Sequence, residues 1–194
     1  MHFGNINDKR PYGQKHRIQR KNQPGQAWTG KKIILELQNE LKSLIAEGVG
    51  PFLAAVYDAE GKLIAKTANS VVSEGCSNNH AEMNAIKAAE KALNTFDLSS
   101  ANLSLYVTAE PSMMCLGGIM WSGIKAVYFG VPSKRVEEIT GFDEGFKPNW
   151  FDEFKKRGIA VYGNIESEAG EEVLRSYVAA GKKSLSAEKG IKTV

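Results

Sequence analysis

Hydrophobic residues along the chain alternate between a helical and a strand-like spacing. Isoleucine and leucine residues three or four positions apart predict a helix over residues 31–48, with Gly48 at its end. Two strand-like runs, 52–57 and 62–67, flank a glycine-containing turn, which is the pattern of a β-hairpin. We therefore expect a first helix followed by two paired strands.

Strand and helix alternate through the rest of the chain. The patterns predict strands over residues 103–108, 126–130 and 159–162, and helices over 80–93, 113–122, from 150 onward and 167–180. Such alternation is typical of crossover connections and of a sheet with helices on both faces. The predicted fold class is therefore α/β.

Length and composition fit a single domain with flanking segments. The chain has 194 residues, of which 42% are hydrophobic. We assign residues 1–30 to a basic, flexible leader, 31–181 to the domain and 182–194 to a C-terminal tail. No apolar run has the length of a membrane span, and the N-terminus lacks the apolar stretch of a signal peptide. We expect a soluble, cytoplasmic protein without a membrane partner.

The net charge of +3 comes from the leader. Residues 1–32 contain eight Lys/Arg and one acidic residue, Asp8, which leaves 17 basic and 21 acidic residues in the remainder. A basic leader is compatible with an RNA-acting protein that uses it as an electrostatic handle. Its content of Gln, Asn, Gly and Pro favours a flexible segment with no nucleic-acid partner.

Candidate chemistry is concentrated at the starts of two predicted helices. One start is His80-Ala81-Glu82, and the other runs from Pro111 through Ser112 to Cys115. Together they resemble the H-x-E…P-C-x-x-C signature of zinc deaminases that act on nucleobases, with Ser112 in place of the first cysteine. Histidine nitrogen and cysteine sulfur are usual zinc donors. A glutamate beside the ion can transfer protons during hydrolysis.

Simpler interpretations of the same residues need no metal. Asn79 and Glu82 have the spacing of a helix capping box, and Ser112 is a preferred N-cap residue. The neutral Ser112 hydroxyl preserves a helix start but does not replace a thiolate as a zinc donor. The two cysteines are too few for a disulfide framework, so both are expected to be reduced. Three sulfur-bearing residues near the motif are interpreted as packing residues, not substitute ligands: Cys76, Met113 and Met114.

Across residues 31–180 the chain resembles the guanine deaminase branch of the cytidine deaminase superfamily. Besides the two motif segments, the resemblance rests on residues 50–56, on Asn69 and on the Gly-Phe-Asp-Glu-Gly loop at 141–145. The tRNA adenosine deaminases share the two zinc segments, but the 141–145 loop is similar to the corresponding loop of the guanine-acting enzymes. The resemblance implies a three-layer α/β/α cytidine-deaminase-like fold around a central mixed five-stranded sheet. It also implies a homodimer and Zn²⁺ as cofactor.

The resemblance further implies roles for individual residues. His80 and Cys115 correspond to zinc ligands, Ser112 to the missing ligand, and Glu82 and Glu144 to catalytic carboxylates. Substrate contacts are implied for five residues: Asn69, His80, Ala81, Phe142 and Asp143.

We therefore predict a zinc-dependent aminohydrolase that deaminates guanine, a related purine or another aminated heterocycle. Ser112 leaves two hypotheses open besides the RNA-acting one. The chain is either an active enzyme, with a natural serine or an introduced Cys→Ser change, or a purine binder that has lost zinc chemistry.

Overall fold

A computed structural model describes residues 24–181 of the protein except Glu144, with side chains from residue 29 onward. Within that range the helices are α1 (Pro24–Ala46), α2 (Val71–Glu74), α3 (Ala81–Leu93), α4 (Met113–Ser122), α5 (Ser133–Thr140), α6 (Trp150–Lys156) and α7 (Ser167–Ala179). The strands are β1 (Leu53–Tyr57), β2 (Leu63–Ala68), β3 (Ser104–Ala109), β4 (Ala126–Val131) and β5 (Ala160–Tyr162).

The strands form one mixed sheet in the order β2-β1-β3-β4-β5, which confirms the predicted five-stranded sheet. β1 is antiparallel to both β2 and β3, while β3, β4 and β5 are parallel to one another. Since β2 and β3 both run opposite to β1, they point the same way. The segments that follow β2 and β3 lead to His80 and Ser112. They therefore leave the sheet at the same end of its strands.

Alternate residues of β1 face two separate apolar layers, as the period of two requires. Ala54 and Val56 pack with apolar residues of α3, α4 and α6. Leu53 and Ala55 face the other way and pack with residues of α1 and α7. The helices thus cover both faces of the sheet, and the predicted three-layer α/β/α arrangement is confirmed.

A row of tyrosines crosses the face of the sheet that α1 and α7 cover. Tyr57, Tyr106, Tyr128 and Tyr162 come from β1, β3, β4 and β5, with successive ring centroids 5.4, 4.5 and 4.6 Å apart. Burial raises the pKa of Tyr106 to about 12. α1 lies against this row at Gly30, where a Cβ atom would approach the Tyr128 ring to 3.0 Å.

The structure differs from the prediction in a few elements. α1 begins at Pro24, seven residues before the predicted start, so the last part of the predicted leader is helical. Proline is favoured in the first turn of a helix because its missing N–H has no partner there. α2 and α5 were not predicted, since each buries a single apolar residue, Val71 and Val136. Among the described residues, no helix combines the length and apolar character needed to cross a membrane.

Candidate active site

Two helix starts bring together three side chains of the predicted zinc motif. His80 is the N-cap of α3 and Ser112 is the N-cap of α4, and both have an extended backbone. The Sγ of Cys115 lies 3.6 Å from the Nδ1 of His80. The Oγ of Ser112 lies 3.3 Å from each of those two atoms. Segments that are 32 residues apart in sequence therefore form one cluster.

Glu82 is the fourth member of the cluster. One carboxylate oxygen, a ring nitrogen of His80 and the Sγ of Cys115 all lie within 4.8 Å of one another. Cys115 is fully buried and Glu82 is 5% exposed. Because each lies in the first turn of a helix, the partial positive charge of the helix N-terminus favours negative charge on both.

The capping-box interpretation of Glu82 is wrong. The cap of α3 is His80 and not Asn79, so Glu82 is the second helical residue instead of the third. The Asn79 amide donates to the Glu74 carboxylate at 2.7 Å. The N-cap prediction for Ser112 is confirmed, since its Oγ accepts the N–H of Cys115 at 3.4 Å.

The geometry of the cluster can be compared with that of a zinc site. A tetrahedral zinc ion with Zn–N near 2.0 Å and Zn–S near 2.3 Å separates its ligand atoms by roughly 3.3–3.8 Å. The three separations among His80, Ser112 and Cys115, at 3.3, 3.3 and 3.6 Å, match that range. His80 and Cys115 are zinc donors, whereas Ser112 offers a neutral hydroxyl. The residues therefore fit a zinc ion held by two protein donors, with Ser112 at the third corner.

The sulfur-bearing neighbours lie differently from the prediction. Cys76 and Cys115 are both free, as expected, but Cys76 is exposed and is not the small buried thiol predicted. It lies in the turn before His80, where its carbonyl accepts the Asn79 N–H at 3.1 Å. Met113 is 42% exposed because it lies on the outward face of α4, so its prediction as a core residue is wrong.

The segment between β2 and α3 is fixed by two polar side chains that sequence reasoning missed. Asn84 donates its amide to Ala68 O, Ser70 Oγ and Asn79 O at 3.0–3.3 Å. The Thr67 hydroxyl donates to Ala81 O at 2.8 Å. These bonds connect the end of β2 and the turn before His80 to the first residues of α3. Asn84 inside the predicted helix was the signal from which this role could have been predicted, because asparagine has a low helix propensity.

Asn69 lies directly after β2, at the border of a broad cleft that Tyr177 also lines. Its backbone N–H donates to Phe52 O at 3.0 Å, and its Oδ1 accepts the Val71 N–H at 3.2 Å. Ala81 is fully buried and packs in the core beneath α3. Substrate contacts by Asn69, Ala81 and His80 remain predictions.

The loop between α5 and α6 is anchored by Phe142. Its ring lies 5.8 Å from that of Phe52 and 6.4 Å from that of Tyr177, measured between centroids. Asp143 is exposed and its Oδ1 accepts the Gly145 N–H at 2.7 Å, which is a local turn contact. Glu144 lies outside the described residues, so its catalytic role stays a prediction.

The two helix starts also fall inside a known family pattern. Residues 31–131 match the family described as the cytidine and deoxycytidylate deaminase zinc-binding region. The chain belongs to this deaminase family. The match covers more than half of the chain and includes His80, Glu82, Ser112 and Cys115.

Similar deaminases cover most of the chain. A guanine deaminase of Bacillus subtilis is 33% identical over 140 residues, which span 70% of this chain and 78% of that protein. A tRNA-specific adenosine deaminase of the same organism is 33% identical over 158 residues, spanning 80% and 93%. NE0047 from Nitrosomonas europaea, whose structure was solved in complex with 2,6-diaminopurine, is 36% identical in sequence to this chain. The two structures superpose with a TM-score of 0.75. The match covers 82% of this chain and 86% of that one.

Proposed function

We propose that this deaminase is a zinc-dependent aminohydrolase of the guanine deaminase type, acting on guanine or a related aminated heterocycle. The observation that carries the proposal is the cluster of His80, Glu82 and Cys115 at two helix starts, with 3.6 Å between the nitrogen and sulfur donors. The similarity to NE0047, a protein solved with an aminated purine, supports the substrate class.

Glu82 carries the proton transfers in the proposed reaction. His80 and Cys115 would hold the zinc ion, which would supply the Lewis acidity that makes water nucleophilic near neutral pH. Glu82 accepts a proton from the attacking water and delivers it to a ring nitrogen of the substrate. It then transfers the second proton to the exocyclic amino group, which leaves as ammonia while the carbon becomes a carbonyl. The burial of Glu82 keeps this carboxylate away from bulk water.

Substrate recognition is assigned to Asn69 and to the loop around Phe142. Because the Asn69 oxygen already accepts the Val71 N–H, its amide NH₂ is left to donate to an acceptor on the purine edge. Phe142 holds the loop against Phe52, whose carbonyl also holds Asn69. In this proposal Asp143 shapes the loop, and Glu144 accepts from the ring and exocyclic N–H groups of guanine.

A homodimer is part of the proposal, with the outward face of α4 as the contact surface. Met113, Gly117, Met120 and Trp121 lie on one side of the helix by their spacing. Trp121 is 90% exposed, and Met113 and Met120 are 42% and 36% exposed. Contiguous exposed apolar residues of this kind are typical of protein contact sites.

The test measures bound zinc and ammonia release from guanine for this chain and for Ser112→Cys, with cytosine, aminated triazines and a tRNA adenosine substrate in parallel. Ammonia from guanine supports the proposal. Its absence from every substrate with both proteins contradicts the hydrolase. Because Ser112 removes a zinc donor, the purine-binder alternative is retained. It predicts that this chain binds 2,6-diaminopurine, while turnover and bound zinc appear only in Ser112→Cys.

A further inference from the structure

Lys147 is a buried cation at the end of the loop between α5 and α6. It is 7% exposed, although a lysine in a loop is ordinarily in water. Its Nζ donates to the Pro111 carbonyl at 2.9 Å and also to the Ser133 hydroxyl. Pro111 directly precedes Ser112, the N-cap of α4. A single side chain therefore connects this loop to the start of the helix that carries Cys115.

Glu110 supplies the negative charge next to Lys147. Its Oε1 lies 3.9 Å from the Lys147 Nζ and accepts the indole N–H of Trp150 at 3.1 Å. Its Oε2 accepts the Ser133 N–H at 3.0 Å, at the start of α5. The carboxylate thus binds the first residues of both helices that flank the loop. A buried charged group is maintained only when it is paired and hydrogen-bonded, and these contacts meet that condition.

The loop is consequently held at two points. Phe142 packs on Phe52 and Tyr177 at one end, and Lys147 bonds to Pro111 at the other. Between these anchors Asp143 and Gly145 are exposed, and Phe146 is 75% exposed. A loop fixed at both ends has fewer conformations than one fixed at a single end, which restricts the positions of Asp143 and Phe146 between the anchors.

We propose that Lys147 is a positioning residue, which sets the described residues of the substrate loop, 141–143 and 145–146, relative to the turn that carries Ser112 and Cys115. The inference rests on the proposed function, because that function assigns the loop to substrate recognition. Lys147 does not contact the substrate in this proposal. It acts through the Pro111 carbonyl on one side and through its own backbone on the other. A purine can contact both the substrate loop and the turn that carries Ser112 only if the distance between them is held constant.

The experiment compares the unmodified chain with Lys147→Met, which keeps an unbranched side chain through the ε position but removes the terminal charge and donor. Hydrogen exchange by mass spectrometry is followed in peptides covering residues 110–117 and 141–149. Calorimetry gives the Kd for 2,6-diaminopurine. We expect faster exchange in both peptides and binding weaker by about tenfold or more, since small misplacements at a site have effects of this size.

The controls separate positioning from general destabilisation. Lys66→Met removes a surface ion pair with Glu40, and is expected to leave both the exchange of the two peptides and the Kd unchanged. Ser133→Ala removes one acceptor of Lys147 and is expected to act in the same direction as Lys147→Met but more weakly. It serves as the test if Lys147→Met does not fold.

The outcomes distinguish this inference from the proposed function. An unchanged Kd in both Lys147→Met and Ser133→Ala, or faster exchange that does not extend to residues 110–117, refutes the positioning role. If the unmodified chain does not bind 2,6-diaminopurine but both peptides exchange faster in the variants, the purine function fails while the coupling between the two segments is supported. A lower melting temperature with an unchanged Kd assigns Lys147 a purely structural role and also refutes the proposal.

Discussion

Restoring the thiolate with Ser112→Cys is expected to change zinc affinity strongly. The Ser112 Oγ already lies 3.3 Å from the His80 Nδ1 and from the Cys115 Sγ, which is the separation of ligand atoms in a tetrahedral site. A sulfur atom in this position adds a third donor without moving the helix. It also adds a second thiolate, besides that of Cys115, to the donors of the divalent ion.

The size of the change follows from the energy of zinc binding. Four-ligand structural sites bind zinc with about 10–16 kcal/mol, so one ligand contributes roughly 2.5–4 kcal/mol, or about 10²–10³ in affinity. In the metal-free protein Ser112→Cys is expected to lower the free energy of unfolding. Ser112 accepts the Cys115 N–H, and a cysteine is a weaker N-cap residue. That hydrogen bond is long at 3.4 Å, so the loss of unfolding free energy is expected at the low end of the range for a removed N-cap. It amounts to about 0.5–1 kcal/mol, which lowers the melting temperature by about 2 °C.

The assay is zinc competition with a chromogenic chelator, together with thermal melting of metal-free and zinc-saturated protein. Ser112→Cys is expected to melt lower than this chain without metal and higher with zinc, and its cobalt-loaded form is expected to gain thiolate absorption. Ser112→Ala is the matched control, since it loses the cap but gains no donor. An affinity gain below about tenfold refutes the view that Ser112 occupies a ligand corner.

Three further changes test other parts of the structure. Glu82→Gln is expected to lower guanine turnover by at least about 10²-fold with zinc content and circular dichroism unchanged, and retained turnover removes Glu82 from the mechanism. Trp121→Glu is expected to convert a dimer to a monomer in sedimentation, and an unchanged mass excludes the α4 face. Burial raises the pKa of Tyr106 from 10.0 to about 12, so folding stabilises the protonated phenol. Stability is thus fully present below pH 10 and is lost as the pH rises toward 12. Tyr106→Phe is expected to lose less of its unfolding free energy over that window, and identical losses in denaturant melts contradict the assignment.

Elements whose ends are marked by the sequence were predicted well. The bounds of α4 agree with the prediction, because Ser112 caps its start and Gly123 supplies the left-handed residue at its end. α5 also ends at a left-handed glycine, Gly141, but its N-cap residue Pro132 forms no side-chain cap bond and only Val136 is buried. Its outer face is held to α7 by two contacts from Arg135 to Glu171, at 2.6 and 2.9 Å. These contacts join residues 36 positions apart in sequence, so local periodicity does not indicate them.

In the candidate site, too, residues that are close in sequence could be predicted together, whereas a contact between distant residues could not. His80 with Glu82, and Ser112 with Cys115, were predictable because each pair belongs to one helix start. Lys147 was not, because a loop lysine has no periodic or motif signal. Only the fold shows that it faces the Pro111 carbonyl.

The contacts that assemble the cluster explain why a serine is tolerated at its third corner. His80 is positioned by the Asn84 network after β2, and Ser112 by the cap of α4 and by the Lys147 contact to Pro111. All of these contacts are hydrogen bonds within the protein. The shape of the site therefore does not depend on how well residue 112 binds a metal ion. Because the N-cap requires only an acceptor, serine satisfies the helix start, whereas its neutral hydroxyl does not supply the thiolate that zinc requires. We therefore expect changes at this position to alter metal affinity and turnover before they alter the fold.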